Sequence, residues 1–240
     1  MCGILGIYQP AGGFDPSTVE RRLSEAALLL AHRGPDASGV SLLPEDGVGF
    51  GHRRLAILDL DSRANQPMAS ADGSILLTFN GEIYNFRALR LELEKQGCSF
   101  KTESDSEVLI EGYRRWGFEA LLSRLAGMFS FALYDARDKR LFLARDRAGK
   151  KPLFYSEQGG GLQFCSELRG LLRLSPISKE LDPAGLDAYL SLKFTPPPRT
   201  LFKGISKLPP GHYLQKKGNG GASIKRYWQP FLNKTQEPSS

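Results

Sequence analysis

A cysteine directly follows the initiator methionine, and it is the first residue of the sequence whose type and position suggest chemistry. Removal of Met1 would leave Cys2 with a thiol and a free α-amine on one residue. The thiolate is the nucleophilic form of cysteine, and an α-amine with a pKa of about 7.7–8.0 exchanges protons near neutral pH. Cys2 would then combine a nucleophile and a base without a histidine. Taken alone, a cysteine here is more often a small hydrophobic residue.

A side-chain amide and a flexible backbone follow each other at Asn80 and Gly81. They come after an apolar run, residues 75–79, that predicts a strand, so we expect them at a strand end. Attack on an amide carbon builds negative charge on oxygen, and a preorganised Asn NH₂ or backbone N–H stabilises that charge by about 2.7–4 kcal/mol per donor. The pair therefore predicts an oxyanion hole, although an ordinary Asn-Gly turn explains it equally well by itself.

Arg54 and Asp105 carry charges that suit a substrate with both a carboxylate and an ammonium group. Arg54 lies in a predicted strand, residues 48–55, where its guanidinium could hold a carboxylate in bidentate fashion. Asp105 lies in the first turn of a predicted helix and could accept hydrogen bonds from an ammonium group. A surface salt bridge for Arg54 and helix-dipole complementarity for Asp105 are the simpler explanations when each residue is taken singly.

The remaining histidines and cysteines indicate neither a metal site nor a disulfide. No histidine has a metal-binding spacing such as H-E-x-x-H, and the three cysteines have no C-x-x-C spacing. We therefore predict no metal and no metal catalysis. A thiol site that pairs Cys98 or Cys165 with His52 is an alternative without any supporting local motif.

Short apolar runs predict many strands, and helical patterns lie between them. The predicted strands cover residues 3–8, 48–55, 75–79, 129–134, 140–144 and 162–165. Ser104 and Glu107 have the form of a capping box, which fixes the start of a helix. Strands 129–134 and 140–144 are predicted to form a hairpin. Few strands alternate with helices, so the sequence favours an antiparallel α+β fold.

Composition excludes several classes of protein. The chain has 240 residues, of which 41% are hydrophobic, so it can bury a sizeable core. The net charge is +6, but Lys and Arg are scattered and no basic stripe with aromatic residues appears, which argues against nucleic-acid binding. No apolar run approaches the roughly 20 residues needed to cross a bilayer. No leader segment is evident, and a cytoplasmic protein without a membrane partner is expected.

The pattern of the sequence changes after Ser175, where proline-rich stretches begin to interrupt the predicted elements. We predict one main domain over residues 1–175 and a connecting segment over 176–228 that contains a short helix, begun by Asp182 and Pro183, and two proline-rich interruptions. Residues 229–240 are polar and weakly hydrophobic, and they are predicted to be disordered.

Several blocks of sequence, taken together, resemble the glutaminase domain of glutamine-hydrolysing asparagine synthetases, a class II glutamine amidotransferase domain. The resemblance runs in order from Met1 to about Trp228, and such a series is far more specific than any single motif. The blocks are MCGI at 1–4, HRGPD at 32–36, GHRRLAILDL at 51–60, QPM at 66–68, FNGEIYN at 79–85, SDSE at 104–107, GMFSFALYD at 127–135 and RDRAGKKPLFY at 145–155.

The resemblance implies a fold and a set of roles. The fold is that of an N-terminal-nucleophile (Ntn) hydrolase, a four-layer αββα sandwich of two antiparallel sheets. The implied roles are Cys2 as nucleophile, Asn80 and Gly81 as oxyanion donors, Arg54 on the glutamine α-carboxylate, Asp105 with Glu82 near the α-ammonium, and Leu55 and Ile57 as further substrate-binding residues. Glutamine would yield glutamate and ammonia through a γ-glutamyl thioester.

The resemblance also implies a partner. The sequence has no S-G-G-x-D-S pyrophosphate loop, so ATP and Mg²⁺ are expected only in a synthetase domain that lies elsewhere, in a longer chain or in a separate protein. That partner would receive the ammonia, and a homodimer is a further possibility. Two alternatives stay open: an amidotransferase domain that serves another acceptor, such as a sugar or a different carboxylate, and a non-catalytic regulatory module with the same fold.

Overall fold

The computed structural model describes residues 1–174 and 177–230. Six α-helices and twelve strands are found in these residues. The helices are α1 (Pro16–Leu28), α2 (Phe86–Lys95), α3 (Asp105–Trp116), α4 (Phe118–Arg124), α5 (Leu168–Leu174) and α6 (Pro183–Leu192). The strands are β1 (Gly3–Tyr8), β2 (Ala37–Leu43), β3 (Val48–Arg54), β4 (Met68–Ala69), β5 (Ile75–Ile83), β6 (Gly127–Asp135), β7 (Arg140–Arg145), β8 (Phe154–Gln158), β9 (Gly161–Cys165), β10 (Ser206–Lys207), β11 (His212–Lys217) and β12 (Ser223–Arg226).

The strands form two antiparallel sheets of six strands each. The first sheet has the order β10-β8-β9-β1-β3-β2, and the second has the order β12-β11-β7-β6-β5-β4. β1, which follows Cys2, pairs on both sides, with β3 and with β9. The catalytic candidate at position 2 is therefore attached to the middle of a sheet, where the backbone is held most firmly.

Three apolar layers separate the sheets and helices. The two sheets pack face to face through side chains such as Ile4, Phe50, Tyr134 and Phe164. α1 and α5 cover the outer face of the first sheet, and α2, α3 and α4 cover the outer face of the second. Each sheet thus buries both of its faces, as a four-layer αββα sandwich requires. This confirms the predicted fold class.

Two details of the predicted elements are wrong. β5 does not end at Phe79 but continues to Ile83, because residues 80–83 pair with the start of β6. Asn and Gly are weak strand formers, and here tertiary pairing overrides that preference. The capping box is also incomplete: the Ser104 hydroxyl accepts the Ser106 N–H, but the Glu107 carboxylate accepts the N–H groups of Lys101 and Thr102, not that of Ser104.

The segment predicted to be a connection belongs to the sandwich. β10 forms an edge of the first sheet, and β11 and β12 form an edge of the second. Leu208 and Leu214 are completely buried between the sheets. These strands were not predicted from the sequence, because they are short and interrupted by proline and glycine. The residue at which any further domain begins stays a prediction, and the disorder predicted for 229–240 falls mostly on 231–240, outside the described residues.

Candidate active site

A pocket of about 330 Å³ opens where β1, β3 and β5 come together with the start of α3. It brings together every residue that the sequence analysis selected for the site. Its lining includes Cys2, Arg54, Leu55, Ile57, Asn80, Gly81, Glu82 and Asp105. These residues are up to 103 positions apart in the chain, from Cys2 to Asp105, and the two sheets supply the proximity.

The Cys2 sulfur lies at the floor of this pocket, beside the end of β3. The Leu55 N–H donates a hydrogen bond to Cys2 Sγ at 3.4 Å. The Arg33 guanidinium donates from Nε to the Cys2 carbonyl oxygen at 2.9 Å, and from Nη1 to Glu167 at 3.0 Å. Burial raises the pKa of the Cys2 thiol, and the Leu55 N–H and nearby positive charges oppose that rise. The Leu55 backbone thus holds the thiol, and the Arg33 side chain holds the Cys2 backbone.

The open edge of β5 presents three backbone N–H groups toward the pocket side. Backbone hydrogen-bonding groups in an antiparallel strand alternate in direction, so the N–H groups of Phe79, Gly81 and Ile83 point the same way, away from β6. The Phe79 N–H donates to Gln66 Oε1 at 2.6 Å, and the Ile83 N–H donates to Asp105 Oδ2 at 2.9 Å. The Gly81 N–H, between them, has no hydrogen-bond acceptor in the described residues. It is therefore available to a ligand.

Only glycine fits at position 81. A Cβ placed there would lie 2.3 Å from the Met128 carbonyl oxygen and 2.7 Å from the Phe129 Cα. Both neighbours are backbone atoms of β6 and cannot move aside cheaply. The close approach of the two strands thus explains the glycine.

Asn80 supplies a second unused donor. Its side chain is 1% exposed, and its Nδ2 has no hydrogen-bond acceptor in the described part of the chain. A buried amide group without a partner costs about 1–3 kcal/mol. Such a group is expected to be retained where a ligand completes its hydrogen bonding. Asn80 and Gly81 together therefore leave two donors at one wall of the pocket that contains Cys2.

Arg54 is buried and holds the loop over the pocket. Its two Nη atoms donate to the Leu58, Asp59 and Asp61 carbonyl oxygens and to Asn65 Oδ1, the last at 2.7 Å. These contacts fix the loop of residues 55–65, which carries Leu55 and the exposed Ile57. The contact of Arg54 with a substrate carboxylate stays a prediction. Such a contact would use either the remaining Nε–H of Arg54 or an Nη–H released from one of its acceptors in the loop.

Asp105 begins α3 and faces the pocket with Glu82. The side chain is 4% exposed, and burial raises its pKa to about 6, with a further rise from the negative charge of Glu82. The hydrogen bond from the Ile83 N–H opposes this rise. Two carboxyl groups at one end of the pocket create a site of negative potential that suits an ammonium group.

The pocket lining also contains residues that the sequence analysis did not select for the site, among them Gln66, Met128 and Lys151. Gln66 links the edge of β5 to α3, since its Nε2 also donates to Ser106 Oγ at 3.1 Å. Each residue lies in a block already noted for its resemblance, QPM, GMFSFALYD or RDRAGKKPLFY. The blocks were a signal, but nothing in one sequence indicates which of their residues face the pocket.

The alternative thiol site is not assembled. Cys165 is completely buried, and burial raises its pKa to about 12. His52 is also completely buried, its Nδ1 is 3.0 Å from Thr78 Oγ1, and burial lowers its pKa to about 3. Neither Cys98 nor Cys165 has a hydrogen bond to His52 in the described residues. Over residues 1–174 and 177–230, no cluster of three or more His, Cys, Asp or Glu side chains is arranged to hold a metal ion.

None of the helices within the described ranges is both long enough and apolar enough to span a membrane.

Comparison with known proteins places the chain among longer enzymes. It is 36% identical over 236 residues to asparagine synthetase [glutamine-hydrolyzing] 1 of Bacillus subtilis, covering 98% of this chain and 37% of that protein. It is 39% identical over 245 residues to a putative asparagine synthetase [glutamine-hydrolyzing] of Mycobacterium tuberculosis, covering 96% and 37%. The chain thus spans little more than a third of the length of these relatives.

Solved structures support the fold. The glutamine phosphoribosylpyrophosphate amidotransferase of B. subtilis superimposes with a TM-score of 0.67 at 20% identity, covering 95% of this chain and 50% of that one. A second structure, described as the allosteric regulatory enzyme of purine biosynthesis, gives a TM-score of 0.68 at 21% identity, with the same coverage. The family described as glutamine amidotransferase domain matches residues 1–228, nearly the whole chain. This chain therefore belongs to the glutamine amidotransferase domain family.

Proposed function

We propose that this chain hydrolyses the side-chain amide of glutamine to glutamate and ammonia, with Cys2 as the nucleophile once Met1 has been removed. The observation that carries the proposal is the pair of unused donors, the Gly81 N–H and Asn80 Nδ2, in the same pocket as the Cys2 sulfur. An oxyanion hole consists of such donors near a nucleophile. Met1 is 54% exposed, so the Met1–Cys2 bond is accessible to processing.

The proposed reaction has two steps that share one oxyanion hole. The Cys2 thiolate attacks the side-chain amide carbon, and the oxygen of the tetrahedral intermediate takes the hydrogen bonds of Gly81 and Asn80. The Cys2 α-ammonium then gives a proton to the leaving nitrogen, which departs as ammonia and leaves a γ-glutamyl thioester. Water attacks the thioester, the α-amine accepts its proton, and a second oxyanion collapses to glutamate and the free thiol.

The charged residues give the substrate its orientation. Asp105 and Glu82 are proposed to hold the α-ammonium of glutamine, and Arg54 the α-carboxylate. Leu55 and Ile57 lie on the loop that covers the pocket and are proposed to contact the aliphatic part of glutamine. A pocket of about 330 Å³ is of the size that suits a small ligand.

Replacement of Cys2 tests the proposal. Cys2→Ala should reduce ammonia release from glutamine at least about 10³-fold, because the covalent step is lost. Cys98→Ala is the matched control, since Cys98 lies away from the pocket and its loss should leave the rate unchanged. Intact mass should show loss of Met1 in both proteins. An unaltered rate in the processed Cys2→Ala variant would falsify the assignment.

We further propose that the ammonia passes to an ATP-dependent synthetase portion, with asparagine as the product. The similarity to asparagine synthetases that are longer than this chain supports this proposal. An apolar surface on α6 also supports it: Leu186, Tyr189, Leu190 and Leu192 are 36–71% exposed, and only Gly185 of this helix is buried. Several large apolar side chains exposed on one helix are typical of a protein–protein contact. ATP and Mg²⁺ would be bound by that portion and not by the site described above.

A further inference from the structure

Lys151 is a buried cation without a partner. Its side chain lines the pocket with Cys2 and is only 6% exposed. Within residues 1–174 and 177–230, its Nζ makes no hydrogen bond and no salt bridge. Removing an ammonium group from water is unfavourable unless a hydrogen-bonding or anionic partner compensates. A negative charge inside the pocket would supply such a partner.

The backbone around Lys151 is held rigidly. The Lys151 N–H donates to Asp146 Oδ2 at 3.0 Å, and Arg145 Nε donates to the Lys151 carbonyl oxygen at 2.8 Å. The Asp146 carboxylate also accepts the N–H groups of Phe129, Ala148 and Lys150. Asp146 is thus committed to backbone donors and is not a salt-bridge partner of the lysine. The loop fixes where the Lys151 side chain starts and directs it to the pocket.

Lys151 differs from the other charged groups around the pocket in the use of its donors. The Nη donors of Arg54 are used by the loop of residues 58–65, and Arg33 is bound to the Cys2 carbonyl oxygen and Glu167. Glu82 and Asp105 form the acidic end, and the chain amino group lies on Met1. Among the side-chain cations that line the pocket in the described residues, Lys151 alone retains all its donors. Its charge is among those that oppose the rise in the pKa of the Cys2 thiol.

We propose that the Lys151 ammonium stabilises the negative charge of the Cys2 sulfur and so keeps the nucleophile reactive near neutral pH. The inference rests on the proposed glutaminase site, since it assigns Lys151 to the nucleophile of that site. Lys151 is in this sense a positioning residue, which acts through the sulfur. A nearby positive charge favours the ionised form of a thiol and lowers its pKa, which increases the thiolate fraction near neutral pH.

The test is the pH dependence of alkylation of Cys2 by iodoacetamide, followed by peptide mass spectrometry on the chain after removal of Met1. Lys151→Met removes the charge and keeps the length of the side chain, and its alkylation midpoint should rise by about one pH unit or more. Lys151→Arg keeps the charge and should restore a midpoint near that of the unmodified protein. Lys150→Met is the matched control, since Lys150 is the exposed neighbour, and its midpoint should not change.

Glutamine kinetics provide a second readout. For Lys151→Met, kcat/KM at pH 7 should fall about tenfold, with the loss recovered at higher pH. An unchanged alkylation midpoint in Lys151→Met would overturn the proposal, and a rise in KM with that midpoint unchanged would assign Lys151 to the substrate carboxylate instead. If Lys151→Met fails to fold by circular dichroism, Lys151→Gln gives the same comparison. Absence of ammonia release from the unmodified protein would contradict the glutaminase function, whereas the alkylation midpoints would still decide the role of Lys151.

Discussion

At the scale of single residues, the site combines groups that are costly to bury with groups left without partners. Within the described residues, the Gly81 N–H and Asn80 Nδ2 have no acceptor and Lys151 has no anionic partner, and Asp105 is a carboxyl group with only 4% of its surface exposed. Each of these features is unfavourable for folding, and the proposed function gives each of them a partner in the pocket. Residues of this kind are characteristic of functional sites.

Asp105 should produce a measurable pH dependence of activity. Its raised pKa, about 6, means that the carboxylate proposed to bind the substrate ammonium is protonated below that pH. We expect kcat/KM for glutamine to fall about tenfold per pH unit below pH 6. In Asp105→Asn, kcat/KM at pH 8 should fall about 10²-fold, as for loss of a charged hydrogen bond, and the decline near pH 6 should disappear. Glu103→Gln, on the exposed neighbour, should retain the profile of the unmodified protein.

The same residue makes a prediction about stability. Between the ordinary aspartate pKa of 3.8 and about 6, the folded protein binds a proton at Asp105 that the unfolded chain has lost. The contribution of Asp105 to the free energy of unfolding therefore decreases as pH rises through this window. Asp105→Asn should remove that decrease, which urea titrations at pH 4 and pH 7 would measure. If the free energy of unfolding changed between pH 4 and pH 7 by the same amount in Asp105→Asn as in the unmodified protein, that result would contradict the assigned pKa.

At the scale of elements, the site depends on the edge of β5 and the start of α3 being held together. Gln66 joins them through hydrogen bonds to the Phe79 N–H and Ser106 Oγ, and Asp105 joins them through the Ile83 N–H. The Gly81 N–H lies between these two occupied donors and has no acceptor in the described part of the chain. The hydrogen bonds of the Phe79 and Ile83 N–H groups thus hold the strand edge on which the proposed oxyanion donor, the Gly81 N–H, lies.

Glu107 should be essential for the geometry at the start of α3. Its carboxylate accepts hydrogen bonds from the Lys101 N–H, the Thr102 N–H and the Thr102 hydroxyl, at 2.7–3.1 Å. Glu107→Ala leaves the buried Thr102 donors and the part-buried Lys101 N–H without this acceptor and should lower the free energy of unfolding by about 3 kcal/mol. Urea denaturation measures this loss. Glu103→Ala, at a side chain that is 80% exposed, should change stability by less than about 1 kcal/mol, and equal losses in both variants would contradict the prediction.

At the scale of the whole molecule, the sandwich leaves one helix largely uncovered. α6 lies after the first nine strands and before β10, and its exposed residues Leu186, Tyr189, Leu190 and Leu192 are apolar. The relatives extend well beyond the length matched by this chain, so they contain additional protein that could cover such a surface. We assign this surface to contact with the proposed synthetase portion.

A charge placed on α6 tests that assignment. In a chain joined to a synthetase portion, Leu190→Glu should lower the asparagine formed per glutamine hydrolysed about tenfold or more, because a buried contact residue is typically worth at least 1–2 kcal/mol. Synthesis from free ammonia and glutaminase activity of the domain should both persist. Leu91→Glu, at a similarly exposed leucine on α2, is the control. Equal coupling in the two variants, or loss of a homodimer in Leu190→Glu by light scattering, would assign the surface to another partner or to a second copy.

The sequence by itself determined the local features of this protein and, through the resemblance of its motifs, its family. β1 has the predicted bounds, α6 starts where Asp182 and Pro183 predict, and Ser104 caps α3, because hydrophobic alternation, Asp-Pro starts and serine caps act within a few residues of chain. Cys2, Asn80, Gly81, Arg54 and Asp105 were selected from residue types and motifs, and the structure places them in one pocket.

Only the tertiary structure decided what each residue faces. The continuation of β5 through Gly81, the occupied donors of Arg54, the burial of Lys151 in the pocket and the contribution of residues 206–226 to both sheets all depend on contacts between segments far apart in the chain. Pairing and burial are set by the packing of the two sheets as a whole. A single sequence contains no local signal for them, because the free energy that favours them arises only when both partners are brought together.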